Sequence, residues 1–204
     1  WLRESPARAR EGSAPPIPII LHTDQAPGDA IAMTAAIYSL HRAHPGKYTT
    51  AMLTGYPEVL EHNPDLVPVQ SITGSHTLHM HYPAIHKSNE RAIHFMQGCC
   101  EFLGMALSED VPLLTNRPHL YFDTPAPPTE DFWVICSGGK TDLTNKLWGS
   151  NAYQEVVWLL SGKVKFVQVG SEKDNHPWLK GVQDMVGKTT LRELFDLIRR
   201  ARGV

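Results

Sequence analysis

The 204-residue chain is predicted to be an α/β protein built on doubly wound parallel sheets. Three observations predict this. The short apolar run Ile17-Pro18-Ile19-Ile20-Leu21 has the character of a strand buried on both faces. It leads through a polar loop into helically spaced apolar residues and then a second strand, the order from which parallel sheets are made. The same succession begins again after the proline-rich stretch Thr124-Pro125-Ala126-Pro127-Pro128-Thr129-Glu130.

Taken in order, residues 1–16 carry Arg, Glu, Ser, Ala and Pro without apolar periodicity and read as a flexible arm. The first strand is expected over Ile17–Leu21 and the polar loop over His22–Gly28. A helix follows from Asp29, with Ile31, Ala35, Ile37, Tyr38 and Leu40 on its apolar face, ending before Pro45-Gly46. Tyr48–Leu53 reads as the next strand, followed by the turn Gly55-Tyr56-Pro57 and a short helix through Leu60. Asn89–Leu107 has the spacing of another helix (Ile93, Met96, Phe102, Leu103), with Ser88 or Asn89 as its cap. The prolines of 124–130 make that stretch a stiff, extended connector. Beyond it come a strand over Phe132–Cys136, a helix over Ser150–Leu160, a strand over Val164–Val169 and a short strand over Val182–Val186. A last helix runs from about Thr190 to Arg202, and its entry at Thr189, Arg192 and Glu193 reads as an imperfect capping box. The organisation expected is an arm over 1–16, a first domain over 17–123, a linker over 124–130 and a second domain over 131–204.

Composition narrows the function. A net charge of -2 argues against a nucleic-acid binder, which would carry a basic face. No apolar run approaches the ~20 residues that cross a bilayer. Three cysteines, two of them adjacent (Cys99, Cys100) and one apart (Cys136), make a poor disulfide framework, and a cytoplasmic location fits. His76, His79, His81, His86 and His94 gather in one segment, but no carboxylate or cysteine completes a metal-ligand spacing, so no metal site is expected.

Parallel sheets bind ligands at the carboxyl ends of their strands. His22 to Asp29 occupies that place after the first strand. Gly28 lets the backbone approach a ligand, and Asp29 serves there either as a helix cap or as a general base facing a cleft. After the linker the corresponding loop is Ser137-Gly138-Gly139-Lys140-Thr141-Asp142-Leu143-Thr144-Asn145-Lys146-Leu147-Trp148. It is not a P-loop, because Val134 stands where that motif needs glycine. Its glycines, hydroxyls and lysines still suit an anion. Lys146 and Trp148 read either as phosphate contacts or as a solvated lysine beside a core tryptophan.

The segment Gly28-Asp29-Ala30-Ile31-Ala32-Met33-Thr34-Ala35-Ala36-Ile37, followed by Leu40-His41-Arg42-Ala43-His44-Pro45, resembles the opening of the ADP-heptose:lipopolysaccharide heptosyltransferases. Lys146-x-Trp148 is similar to that family's Lys-x-Trp, with Gly149 where a proline is usual. Phe166-Val167-Gln168-Val169-Gly170-Ser171 looks like its next strand and glycine turn. His176-Pro177-x-x-Lys180-Gly181-Val182 and Gly187-Lys188-Thr189-Thr190-Leu191-Arg192-Glu193-Leu194 extend the match.

The resemblance implies a GT-B fold of two Rossmann-like domains, the second incomplete, since the family's next strand and loop would follow Val204. It implies inverting, metal-independent transfer of a sugar, heptose by analogy, from a nucleotide-diphosphate donor to a hydroxyl in lipopolysaccharide biosynthesis. No cofactor is expected beyond an ADP-linked donor. Asp29 is implied as base and Lys146 as the lysine on the diphosphate. Donor contacts are implied at Gly28, Ser137, Gly138, Gly139, Lys140, Thr144, Trp148, Gly170 and Ser171, and acceptor contacts at Thr23, Asp24, Gln25 and His86. The partners expected are the nucleotide sugar, a glycan or glycolipid acceptor with peripheral membrane contact, and another chain or copy covering the sheet edge. The competing expectation is a non-catalytic module of the same build that binds a nucleotide or a partner protein.

Overall fold

The computed structural model describes residues 14–81, 90, 92–139 and 148–204. They form two compact units, one ending at Asp123 and the other running from Thr124 to Val204. Each is built on a parallel sheet.

In the first unit, β1 (Ile17–Thr23) is flanked by β2 (Tyr48–Thr54) and β3 (His76–His79), giving the order β2-β1-β3. Both neighbours run parallel to β1, in registers that pair Ile17 with Tyr48 and His22 with His79. A parallel return needs a crossover, and α1 (Pro27–Ala43) supplies it. Its buried face carries Ala30, Met33, Ala35, Ala36, Ile37 and Leu40, and it packs on α2 (Phe95–Leu107). The small alanines let the helices approach closely, and Cys99, Cys100 and Leu103 complete the contact layer as buried residues. Two buried hydroxyls on α1 anchor a distant segment: Thr34 accepts from the His119 N–H at 2.8 Å and Ser39 from the Leu114 N–H at 3.1 Å. These bonds offset the cost of burying the hydroxyls.

In the second unit, β4 (Trp133–Ile135), β5 (Phe166–Gln168) and β6 (Gln183–Asp184) are parallel and adjacent in that order. On the other side of β4, Gly203 makes a parallel bridge with Trp133, and Val134 donates to the Gly203 carbonyl at 2.9 Å. Side-chain alternation splits the core in two. Phe132, Val134, Val167 and Val169 pack with Leu197 of α4 (Leu191–Arg200). Ile135, Phe166 and Leu179 pack with Val157 of α3 (Ser150–Leu159). Helices therefore cover both faces, the doubly wound arrangement.

Several local expectations are corrected. β1 continues to Thr23 and α1 begins at Pro27, so the loop shrinks to three residues. The N-cap of α1 is Ala26, with no side-chain cap bond, and Pro27 at the first position supplies the pre-set φ instead. Asp29 is thus a first-turn residue and not the cap. Helix α2 starts at Phe95, capped by His94, whose Nδ1 accepts from the Met96 N–H. The expected cap at Ser88 or Asn89 lies outside the described residues. The capping box of α4 is complete one residue on from the expected place, with Thr190 and Glu193 bonding reciprocally. The linker is tied to the second unit through Glu130 N–H to the Arg200 carbonyl at 2.7 Å and the Arg200–Glu130 ion pair at 2.8 Å.

Burial leaves a pH signature in the first unit. Desolvation lowers the pKa of His41 and His119, with Arg42 adding to the effect and Asp65 opposing it. A depressed histidine favours the neutral form in the folded state, so its stabilisation is intact above the ordinary histidine value and is lost as pH falls through the folded value. Urea denaturation at pH about 7.5 and about 5.5 is expected to give a lower midpoint at the acid pH. Replacing His119 with Gln is expected to flatten that difference.

Candidate functional site

Strand order decides where each unit binds. In the first sheet the chain goes from β1 to β2 on one side and then to β3 on the other. In the second, β5 lies on one side of β4 and Gly203 on the other. The first sheet therefore reverses its order at its first strand, and in the second the chain returns to the other side of β4 at the Gly203 bridge. Such a reversal opens a crevice at that strand's carboxyl end, where helices on opposite faces diverge.

The first crevice lies at the end of β1. Thr23 is fully buried, and its hydroxyl accepts from the Gln25 N–H at 3.3 Å, so it shapes the loop. Asp24 is exposed and pairs with His22 at 3.0 Å. Gln25 and Asp29 are half-buried, and Gly28 is exposed in the first turn of α1. Asp29 faces α2 closely enough for its charge to add to the rise of the Cys99 thiol, which burial drives up to about 12. That thiol is a core group and no nucleophile. His86 lies outside the described residues.

The second crevice lies at the ends of β4 and β5, where Ser137-Gly138-Gly139 meets Gly170-Ser171. Gln168, a polar residue in an apolar strand, explains how these turns are held. Its amide donates to the Ser137 hydroxyl at 2.9 Å and to the Pro177 carbonyl at 2.7 Å, and its oxygen accepts from the Leu179 N–H at 3.3 Å. Gly139 bridges to Asn175 from the other side. The His176 ring is thereby lodged between the two glycine turns. A Cβ on Gly138 would overlap the Asn175 carbonyl and that ring, and one on Gly170 would overlap the ring. Both ring nitrogens of His176 are buried without a hydrogen-bond partner among the described residues. Two unmade hydrogen bonds at a crevice are what a bound polar ligand or water would satisfy.

Other expectations fare unevenly. The Ser137 hydroxyl is buried and engaged by Gln168. Ser171 is exposed, and its hydroxyl accepts from the Lys173 N–H at 3.2 Å. Trp148 is no core residue; it is 63% exposed and stands edge-on to Tyr153 with ring centroids 5.5 Å apart. Lys140, Thr144 and Lys146 lie outside the described residues. Sequence reasoning gave Gln168 and His176 no site role, although both stand in segments that carry the resemblance and Gln168 is an amide amid apolar strand residues. A hollow of about 640 Å³ in the second unit lies at the opposite, amino end of the strands, lined by Glu130, Phe132 and Lys165 among others. It is open and away from both turns. Among the described residues, no group of three or more His, Cys, Asp or Glu is arranged to hold a metal, and no helix is long and apolar enough to cross a membrane.

No family model matches the sequence, and no curated protein matches it. Solved structures do. The iron-containing dodecameric glycosyltransferase TibC from enterotoxigenic E. coli superposes with a TM-score of 0.61 at 16% identity, covering 95% of this chain and 57% of TibC. The E. coli heptosyltransferase WaaC with ADP gives 0.59 at 10% identity, covering 91% of this chain and 79% of WaaC. A family 9 glycosyltransferase from Veillonella parvula gives 0.66 at 12% identity, covering 91% and 73%. The chain thus spans a little over half the length of TibC. These likenesses establish the fold, a GT-B glycosyltransferase type with two Rossmann-like α/β units.

The glycines separate by physical role, and substitution reads the difference. Gly138→Ala and Gly170→Ala are expected to destabilise the chain by about 1–3 kcal/mol through forced displacement of the His176 ring. Gly28 has open space where a Cβ would stand. Gly28→Ala is expected to stabilise α1 by about 0.5–1 kcal/mol. Denaturant midpoints of the three variants check this.

Proposed function

We propose that the chain is the catalytic part of a glycosyltransferase that moves a sugar from a nucleotide-diphosphate donor to an acceptor hydroxyl. The observation that supports this is the change of side at β1 and at β4, which leaves Asp29 and residues 137–139 just beyond the carboxyl ends of those strands. The donor proposed is ADP-linked heptose, the sugar nucleotide bound in one TibC structure. The first crevice takes the acceptor and the second the donor.

The reaction follows from what each crevice offers. An acceptor hydroxyl is a poor nucleophile until it loses its proton. Asp29, a half-buried carboxylate in the first turn of α1, is the base proposed for that step. The leaving nucleoside diphosphate gathers negative charge as the glycosidic bond breaks. Backbone N–H groups at 137–139 and 170–171, with Lys146, are the groups proposed to meet it. Attack opposite the leaving group gives inversion. Lysine and N–H groups supply the charge stabilisation, so no metal or cofactor enters the proposed step. A cytoplasmic location, a glycan or glycolipid acceptor at a membrane surface and association with a second copy belong to the same proposal; TibC is described as dodecameric.

Asp29→Asn, which keeps the shape and removes the base, is expected to lower kcat by about 10²–10⁴-fold. ADP affinity measured by calorimetry should stay within twofold of the parent. Undiminished turnover in the variant would contradict the base assignment.

A further inference from the structure

The proposed reaction leaves unused a pair of histidines at the carboxyl edge of the first sheet. His22 and His79 are register partners on adjacent parallel strands, so their side chains leave the same face. Their Nδ1 atoms lie 3.0 Å apart, with the rings edge-to-face. The other ring nitrogen of His22, Nε2, is 3.0 Å from the Asp24 carboxylate. The His81 ring lies nearly parallel to that of His79, with centroids 6.1 Å apart.

Proton positions in this chain follow from its ends. A carboxylate only accepts, so His22 Nε2 must carry a hydrogen. Neutral His22 then has a lone pair at Nδ1, which obliges His79 to donate from its own Nδ1. Neutral His79 is left with a lone pair at Nε2. In free neutral histidine the Nε2–H form is the commoner, so this arrangement holds His79 in its less common tautomer.

We propose that Asp24, His22 and His79 form a hydrogen-bonded chain that presents the His79 Nε2 lone pair to a hydroxyl of a sugar-like acceptor. The inference rests on the assignment of this crevice to the acceptor. A hydroxyl has the hydrogen that Nε2 needs, whereas a phosphate oxyanion offers only lone pairs. The same lone pair therefore admits a hydroxyl and disfavours a phosphate oxyanion. His79 is the contact residue; His22 and Asp24 are positioning residues that act through it.

The test uses the full chain with ¹⁵N-labelled histidine, read by two-bond ¹H–¹⁵N correlation at pH about 8, where imidazole is neutral. The expected pattern is Nε2–H for His22 and Nδ1–H for His79. His22→Ala should return His79 to the Nε2–H form. Titration with methyl β-D-glucopyranoside should shift the His79 Nε2 resonance, while inorganic phosphate should not, and His22→Ala should weaken the glycoside response about tenfold. His79 in the Nε2–H form in the parent chain overturns the proposal. So does a response to phosphate in place of the glycoside, or tight Zn²⁺ binding that shifts both rings. None of these readouts needs turnover. A chain that transfers no sugar but shows the expected pattern sinks the transferase reading alone, and a chain that transfers sugar with the wrong tautomer sinks this inference alone.

Discussion

A parallel sheet that lays its second strand on one side of the first and its third on the other leaves the first strand's carboxyl end open between diverging elements. The first unit is built that way around β1; in the second, β5 and β6 lie to one side of β4 and the chain returns to its other side at the Gly203 bridge to Trp133. The consequence is positional. Thr23 to Asp29 and Ser137 to Gly139 are the first loops of their units, and each lies at its sheet's opening. The rest of each unit serves to hold that opening. The alanine-rich face of α1 seats it on α2, and the split core around α3 and α4 fixes β4 and β5.

The two openings are held by different physics. At β1 the loop is short, and its order comes from a buried threonine hydroxyl, a proline at the first helical position and an exposed polar contact between His22 and Asp24. An exposed pair of this kind contributes little stability, so its value lies in orienting imidazoles. At β4 and β5 the turns are clamped from within by the Gln168 amide, whose three bonds to Ser137, Pro177 and Leu179 are satisfied in a buried setting. Satisfied networks of that sort rigidify a site. The unpaired nitrogens of His176 sit beside this clamp.

Much of the fold was legible in the residues. The apolar run at Ile17 and the restart at Phe132 placed β1 and β4, and the spacing of Ile31, Ala35 and Ile37 placed α1. Boundaries slipped where tertiary contacts outweigh local pattern. His22 and Thr23 look like loop residues but pair with β3 and β2. The proline-rich stretch looks like a free connector but bonds to α4. Trp148 read either as a donor contact or as core, and it is exposed. The site was half legible. Glycine and acidic residues mark a turn in sequence, but the His22–His79 pairing joins positions 57 residues apart. The position of His176 between two glycine turns likewise depends on strand register, which no local pattern encodes.

The central claim is that ligand position follows from strand order, with the nucleotide held at the carboxyl edge of β4 and β5. Backbone hydrogen exchange of the full chain with and without ADP tests it most directly. The account predicts slowed exchange at 137–139 and 170–171, with no change around Glu130, Phe132 and Lys165 at the opposite end of the strands. Slowed exchange at that amino-end hollow, or at 23–28 in place of the second unit's turns, would contradict it.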